Sequence, residues 1–207
     1  MKRILLAAIV LFFTVSTSAQ EQGKNPEGAY LPLLGSHQGE LLVARPGMPD
    51  GRFRQSVILL VEHSENGAFG LIMNRVVQRI SLSALFRSFG IKAPRDMSQV
   101  NIHYGGPVSP DTGFVLHTTE HNLNVIHDVG ENVAISPVDA VLRAMARGKR
   151  PKKIVIAVGY AGWGAGQLER EMRRGDWYTA PADPDILCDD DHASKWNRAM
   201  ERRFRVM

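Results

Sequence analysis

Cysteine is nearly absent: Cys188 stands alone in 207 residues. A single thiol excludes an intrachain disulfide, so the fold must be held by its core rather than by cross-links. Its distance from the N-terminus also excludes a lipid-anchoring role. Asp189, Asp190 and Asp191 follow it and oppose the thiolate that a catalytic cysteine needs. Long apolar runs are missing as well. The apolar segment Ile4–Val15 covers 12 residues, against about 20 for a helix that spans a bilayer. No repeat of fixed period and no low-complexity tract occurs, which excludes solenoids and fibrous classes. With 44% hydrophobic and 22% charged residues, the composition is that of an ordinary globular chain, long enough for one domain.

Positive charge is in small excess, 25 Lys and Arg against 21 Asp and Glu. Two of those cations, Lys2 and Arg3, precede the apolar segment, and the small residues Ser16-Thr17-Ser18-Ala19 follow it. This is the pattern of a secretory signal peptide over 1–19, cleaved after Ala19. It predicts export to the periplasm with no stable membrane span; an uncleaved leader in the cytoplasm is the alternative. Cleavage leaves 23 basic against 21 acidic side chains. Nucleic acid is then a disfavoured partner, because binding phosphates needs a concentrated positive face. Residues 20–39 mix Gly, Pro and polar residues around a short Leu-Pro-Leu-Leu patch and read as a linker, with the domain over 40–207.

Within the domain, Leu41–Arg45, Gln55–Glu62 and Phe69–Met73 read as apolar strands. A turn at 46–51 separates the first two, and an Asn66-Gly67 hairpin signal separates the next two. Ser81 caps a short helix whose Leu82, Leu85 and Phe86 share a face, closed by Gly90. Val100–Tyr104 and Gly113–Thr118 read as strands around a turn at 105–111, with weaker strands at Leu123–Ile126 and Val133–Ile135. Ser136, Pro137 and Asp139 predict a capped helix start, and Gly148 its end. Lys152–Val158 reads as a buried strand leading into a glycine turn, followed by a helix over 167–174. Trp196, Met200 and Phe204 recur on one face of a terminal helix, whose basic residues Lys195, Arg198, Arg202, Arg203 and Arg205 form its solvated side. Short strands outnumber helices, so the fold class is α+β: one compact domain with a mixed, largely antiparallel sheet, able to curve into a barrel, flanked by helices.

The stretch V-G-Y-A-G-W-G-A-G-Q-L-E over 158–169 is the most distinctive in the chain. Strand, glycines and helix start give the topology of an anion cradle. The letters depart from the named motifs: Gly162, Gly164 and Gly166 give G-x-G-x-G, not G-x-G-x-x-G, and no Gly-Lys-Ser/Thr follows. Trp163 suits a packing corner or a stacking platform more than close phosphate approach. The seven histidines show no zinc-site spacing, and a metal site would need His63, His103 or His117 to meet in space. No cofactor is called for. Glu62 and His63 are adjacent on a strand and point to opposite faces unless a bulge intervenes. Asp189–Asp191 read as the cap of the last helix. No G-x-S-x-G elbow occurs.

Three blocks together resemble the AlgH/YqgE family: S-V-I-L-L-V-E-H at 56–63 with G-A-F-G-L-I-M-N-R at 67–75, Y-G-G-P-V at 104–108 with G-F-V-L-H at 113–117, and G-Y-A-G-W-G-A-G-Q-L-E at 159–169. The resemblance runs from about Gly39 to the terminal helix and implies a single-domain α+β protein without an established activity, one branch being named a regulator of alginate synthesis. Arg75-Val76-Val77 and Asp111-Thr112 depart from the family pattern, as does the leader in a family that looks cytoplasmic. The expected function is a non-enzymatic module binding a small ligand or a protein partner, with Gly159, Gly162, Trp163, Gly164, Gly166, Gln167, Glu169, Glu62, His63 and His117 as candidate binding residues. The alternatives are an enzyme using Glu62, His63, His117 and Glu169 as acid and base, and a transcriptional regulator linked to polysaccharide synthesis.

Overall fold

The computed structural model describes residues 36–92, 98–130 and 132–203. The signal peptide expected over 1–19 and most of the linker expected over 20–39 lie outside the described residues, as does Phe204. Residues 36–39 lie against the second strand: Ser36 Oγ donates to the His63 carbonyl at 3.2 Å, and Gly39 N donates to the Leu60 carbonyl at 2.8 Å.

Strands β1 (Glu40–Ala44), β2 (Val57–Ser64) and β3 (Gly67–Ile72) come first, then β4 (Val76–Ser81) and helix α1 (Leu82–Ser88). Strands β5 (Gln99–Tyr104), β6 (Val108–Thr118), β7 (His127–Gly130) and β8 (Val133–Pro137) lead into α2 (Val138–Ala146). Strand β9 (Ile154–Gly164), α3 (Gln167–Arg173), β10 (Trp177–Pro181), the single turn α4 (Pro184–Leu187) and α5 (Lys195–Glu201) complete the domain. The strands form one sheet in the order β10-β1-β2-β3-β9-β6-β8-β7, with β4 and β5 attached beside β9. The β5–β9 pair is parallel and the other pairs are antiparallel. The sheet does not close into a barrel: among the described residues β10, β7 and β4 each pair on one side only.

The reason it stays open lies in β9. One edge of this strand is shared, with β5 along Ile156–Val158 and β3 along Ala161–Gly164. The sheet therefore has two wings that meet at one strand. The main core lies on the face where Leu41, Val43, Leu59 and Leu71 meet Leu116, Ile135 and Val155. The opposite face of the β1–β3 wing packs Leu42, Ile58 and Leu60 under Leu168 and Met172 of α3. The opposite face of the other wing packs Val115 and Ile156 under Leu82, Leu85 and Phe86 of α1 and Val141 and Leu142 of α2. Strands buried on both faces read as continuous apolar runs, as β1 and β2 do.

Local chemistry sets the helix ends. The Ser81 hydroxyl accepts from Ala84 N at 3.2 Å, and Gly90 follows α1 with φ +66°. The cap expected of Ser136 is corrected: Ser136 lies in β8, its hydroxyl bonds the His117 ring at 2.9 Å, and α2 starts after Pro137 without a side-chain cap. The strand expected at Leu123–Ile126 is displaced to His127–Gly130, where backbone pairs with β8 are available. The turn expected over 105–111 is shorter, because β6 already begins at Val108. Of the basic residues expected on the solvated side of α5, Arg202 and Arg203 are exposed, but Lys195 is corrected: it is fully buried, and its ammonium donates to the Ile186 and Asp189 carbonyls and to Asp189 Oδ1. Asp189 is thus a counter-ion rather than a helix cap, whereas Asp191 accepts from Ser194 N at 3.2 Å. Among the described residues no helix is long and apolar enough to cross a membrane.

Candidate functional site

The glycine stretch is not a turn for most of its length. Strand β9 runs through Gly159, Gly162 and Gly164, and the chain turns only at Ala165-Gly166, where Gly166 with φ +68° opens α3. The strand survives these glycines because it changes phase. Before Gly159, Val155 and Ala157 face the main core and Ile156 faces α1 and α2; after it, Tyr160 faces the main core, while Ala161 and Trp163 face α3. Gly159 makes the switch with φ +68°, a conformation glycine adopts without a side-chain clash. Its backbone interlocks with Gly106: a Cβ on Gly159 would meet the Gly106 carbonyl oxygen at 2.4 Å, and one on Gly106 would meet Tyr160 C at 2.1 Å.

The phase change aims Trp163 at α3 and builds a cleft of about 380 Å³. Its walls include Phe53, Trp163 and Trp177, with Gly162 and Gln167 at the β9–α3 corner and Arg52 and Arg174 on the rim. Trp163 and Trp177 meet edge to face at 6.0 Å between centroids, and Phe53 meets Trp177 likewise at 5.7 Å. Glu171 organises them. Its Oε2 accepts from the Trp163 indole N–H at 2.9 Å and from the Trp177 indole N–H at 2.8 Å, while its Oε1 accepts from the Gln167 amide at 2.9 Å. Gln167 in turn accepts from Gly164 N at 3.2 Å. The helix spacing of four residues puts Gln167 and Glu171 on one face.

The other acids of the cleft are also held. Asp50 takes a two-pronged contact from Arg52, at 3.0 Å from Nε and 2.7 Å from Nη2, and this guanidinium holds its carboxyl below the usual carboxylate range. Asp176 is buried and bonded by the Arg174 guanidinium, with Arg45 Nε 3.4 Å away. No sequence signal marks Trp177 or Arg52, which reach the cleft from other parts of the fold, whereas Arg174 closes α3 itself, three residues beyond Glu171. Glu171 was legible in principle, as the residue one helical turn beyond Gln167.

The remaining candidate residues go elsewhere. His63 and Glu169 form a separate pair at 2.8 Å, with the His63 side chain almost wholly enclosed. His37 N donates to His63 Nδ1 at 3.1 Å, so Nε2 carries the proton and donates to Glu169. That pair ties α3 to β2 and to the segment before β1. Glu62 points the other way from His63 and is itself exposed, near the end of β2, despite a register shift between Leu60 and Glu62. His117 lies opposite Ile154, at the far end of β9 from Trp163, and is buried between the Thr118 carbonyl and the Ser136 hydroxyl. Among the described residues no group of three or more His, Cys, Asp or Glu is arranged to hold a metal ion.

A family model described as AlgH-like matches residues 41–204. A UPF0301 protein of Methylocella silvestris is 38% identical over 191 residues, 88% of this chain and 90% of that one. A UPF0301 protein of Caulobacter vibrioides is 40% identical over 166 residues, 79% of this chain and 85% of that one. Among solved structures, the solution structure of the AlgH protein from Pseudomonas aeruginosa matches with a TM-score of 0.68 at 37% identity, over 85% of this chain and 92% of that chain. A Corynebacterium diphtheriae protein, 22% identical, shares the fold with a TM-score of 0.64, over 80% of this chain and 86% of that chain. Three sequence blocks, an open ten-stranded α+β sheet and these matches lead to one assignment: the chain belongs to the AlgH-like family.

Proposed function

We propose that the protein is a non-enzymatic binding module whose tryptophan cleft takes a small polar ligand. The observation that carries this reading is a cleft of about 380 Å³ with aromatic walls in which every lining carboxylate is already engaged by a donor. Its size falls in the range of small-molecule sites, about 300–1,000 Å³. Phe53 and the two tryptophans supply apolar contact, while the Gln167 amide and the Arg52 and Arg174 guanidiniums on the rim supply orientation. Among the described residues, the lining offers no hydroxyl, thiol or imidazole to act as nucleophile or general base. The enzyme reading with Glu62, His63, His117 and Glu169 is weaker, since only His63 and Glu169 meet. A DNA-binding regulator is weaker again, given the near balance of charge.

The test is a thermal-shift screen of small polar metabolites. A ligand at about 100 times its Kd adds about 2.7 kcal/mol, which for a domain of this size raises Tm by roughly 5–10 °C. Phe53→Ala should abolish the shift, and Glu62→Gln, at an exposed position outside the cleft, should keep it. A broad library in which no compound shifts the protein defeats the reading. Export is part of the same proposal: protein from the cell envelope should begin at Gln20, and an intact Met1 in the cytosol would overturn that part alone.

A further inference from the structure

A second cavity, of about 260 Å³, is lined by Arg54, Gln55, Asn74, Arg75, His192 and Trp196, among others. We propose that it binds a phosphate-type oxyanion, either free phosphate or a small phosphate monoester. The site is separate from the tryptophan cleft, although the segment after β1 contributes to both: Met48 to Phe53 face the cleft, and Arg54 and Gln55 face this cavity.

The chemistry of the lining is one-sided. It presents two guanidiniums, an imidazole and the carboxamides of Gln55, Asn74 and Asn197, and no carboxylate. Arg75 is half-buried, and its guanidinium is oriented by donating to the Arg52 carbonyl and, at 2.6 Å, to the Arg54 carbonyl. Burial lowers its pKa. Arg45, Arg52, Arg174, Arg198 and Arg202 each pair with an aspartate. Among the described residues Arg75 has no carboxylate within ion-pair distance, and neither does Arg54. Asp50 acts on Arg75 only from beyond that distance; a partly desolvated cation with no carboxylate in contact is costly, and an anion entering the cavity supplies that contact.

Two guanidiniums match a dianion, and a phosphate monoester carries about −1.5 to −2 at neutral pH. The planar guanidinium fork suits its oxygens. The cavity is larger than a bare oxyanion needs, and Trp196 also lines it, held by its indole N–H donating to the Ala44 carbonyl at 2.9 Å. An ester's organic part would rest against this ring.

The experiment titrates the whole protein with sodium phosphate and with methyl phosphate, using sodium chloride at matched ionic strength as control, and follows amide and indole NMR resonances. Saturable shifts concentrated at the Trp196 indole and the amides of 54–55 and 74–75 are expected, with affinity at least tenfold weaker in Arg54→Glu. That side chain holds no ion pair among the described residues, so the variant should fold; Arg75→Gln gives a second, independent loss. Tighter binding of methyl phosphate identifies an ester as the ligand, and tighter binding of phosphate identifies the free ion. Equal shifts from chloride, no saturation by either phosphate, or unchanged affinity in both variants would overturn the proposal.

Discussion

Glu171 is the residue on which the cleft depends, because one carboxylate accepts from both indoles and from Gln167. Glu171→Ala leaves the Trp163 and Trp177 N–H groups without an acceptor, both in side chains that are more than nine-tenths buried. At about 1–3 kcal/mol for each of the two unmet buried donors, the expected loss in urea unfolding is about 2–6 kcal/mol, with about half recovered in Glu171→Gln. A variant as stable as the parent would show that the indoles are not held this way. His103 carries a different prediction. Its Nδ1 donates to the Ile156 carbonyl at 3.1 Å, leaving Nε2 facing His192 Nδ1 at 3.5 Å. Burial pushes His103 down to about 4, and burial, then Lys195, lowers His192 as well, against the opposing pull of Asp189, Asp190 and Asp191. An unfolded imidazole titrates near 6.5. A depressed folded value means that the stability is fully present above about pH 6.5 and is lost as pH falls through about 4. For His103 the gap corresponds to about 3 kcal/mol. His103→Gln should flatten this acid limb in denaturant unfolding at pH 7 and pH 4, and an equal loss in parent and variant would count against it.

At the scale of the element, β9 is defined by its phase change. Gly159→Ala adds a Cβ at φ +68° and 2.4 Å from the Gly106 carbonyl oxygen, with backbone on both sides and no flexible side chain to yield. The strand can relieve the clash only by giving up its phase or expelling Gly105-Gly106, so a loss of at least about 3 kcal/mol is expected. Gly162→Ala meets only side chains, the Tyr160 ring at 3.2 Å and Val108 Cγ2 at 3.9 Å, and should cost far less; equal losses in thermal unfolding would mean that the interlock is not what matters. The same element shows what could be read from the sequence. Signals local to a few residues were legible: the Ser81 cap and Gly90 stop of α1, the buried run of β1, and the β2–β3 hairpin, although its turn sits at Glu65-Asn66 rather than at Asn66-Gly67 because Gly67 already pairs with Ser64. The phase of β9 was not, because glycines inside a strand imitate a turn and the partner that demands Gly159 lies on a distant loop. Ser136 misled for a related reason, its hydroxyl being claimed across the sheet by His117. Lys195 looked solvated by helix position and is buried because Asp189 and two carbonyls surround its ammonium. Of the candidate site, Gly162, Trp163 and Gln167 fell in one cleft, while Trp177 and Arg52 depend on tertiary placement that no spacing encodes.

Across the whole molecule the three tryptophans divide between the two cavities, Trp163 and Trp177 in the cleft and Trp196 in the Arg54–Arg75 cavity. Intrinsic fluorescence therefore reports on both sites, and substitution can separate the signals. In Trp163→Phe/Trp177→Phe each lost indole leaves Glu171 with one donor fewer but keeps most of the ring in the core, and a surrendered hydrogen bond is worth about 1 kcal/mol. The double variant should fold, and its emission should come from Trp196. Because Trp196 is anchored to Ala44 and borders the guanidinium-lined cavity, its emission should change saturably on adding phosphate or methyl phosphate and stay constant on adding a cleft ligand. Trp196→Phe should behave in the opposite way. The arginines of the two sites make a further distinction: Arg52 and Arg174 hold aspartates, whereas Arg54 and Arg75 pair with no carboxylate among the described residues. Salt should accordingly weaken the Trp196 response more steeply than the cleft response, since a purely charge-driven contact is screened first. If both responses appeared together in each single-site reporter, the cavities would be one binding unit, joined through the segment 48–55 that lines them both.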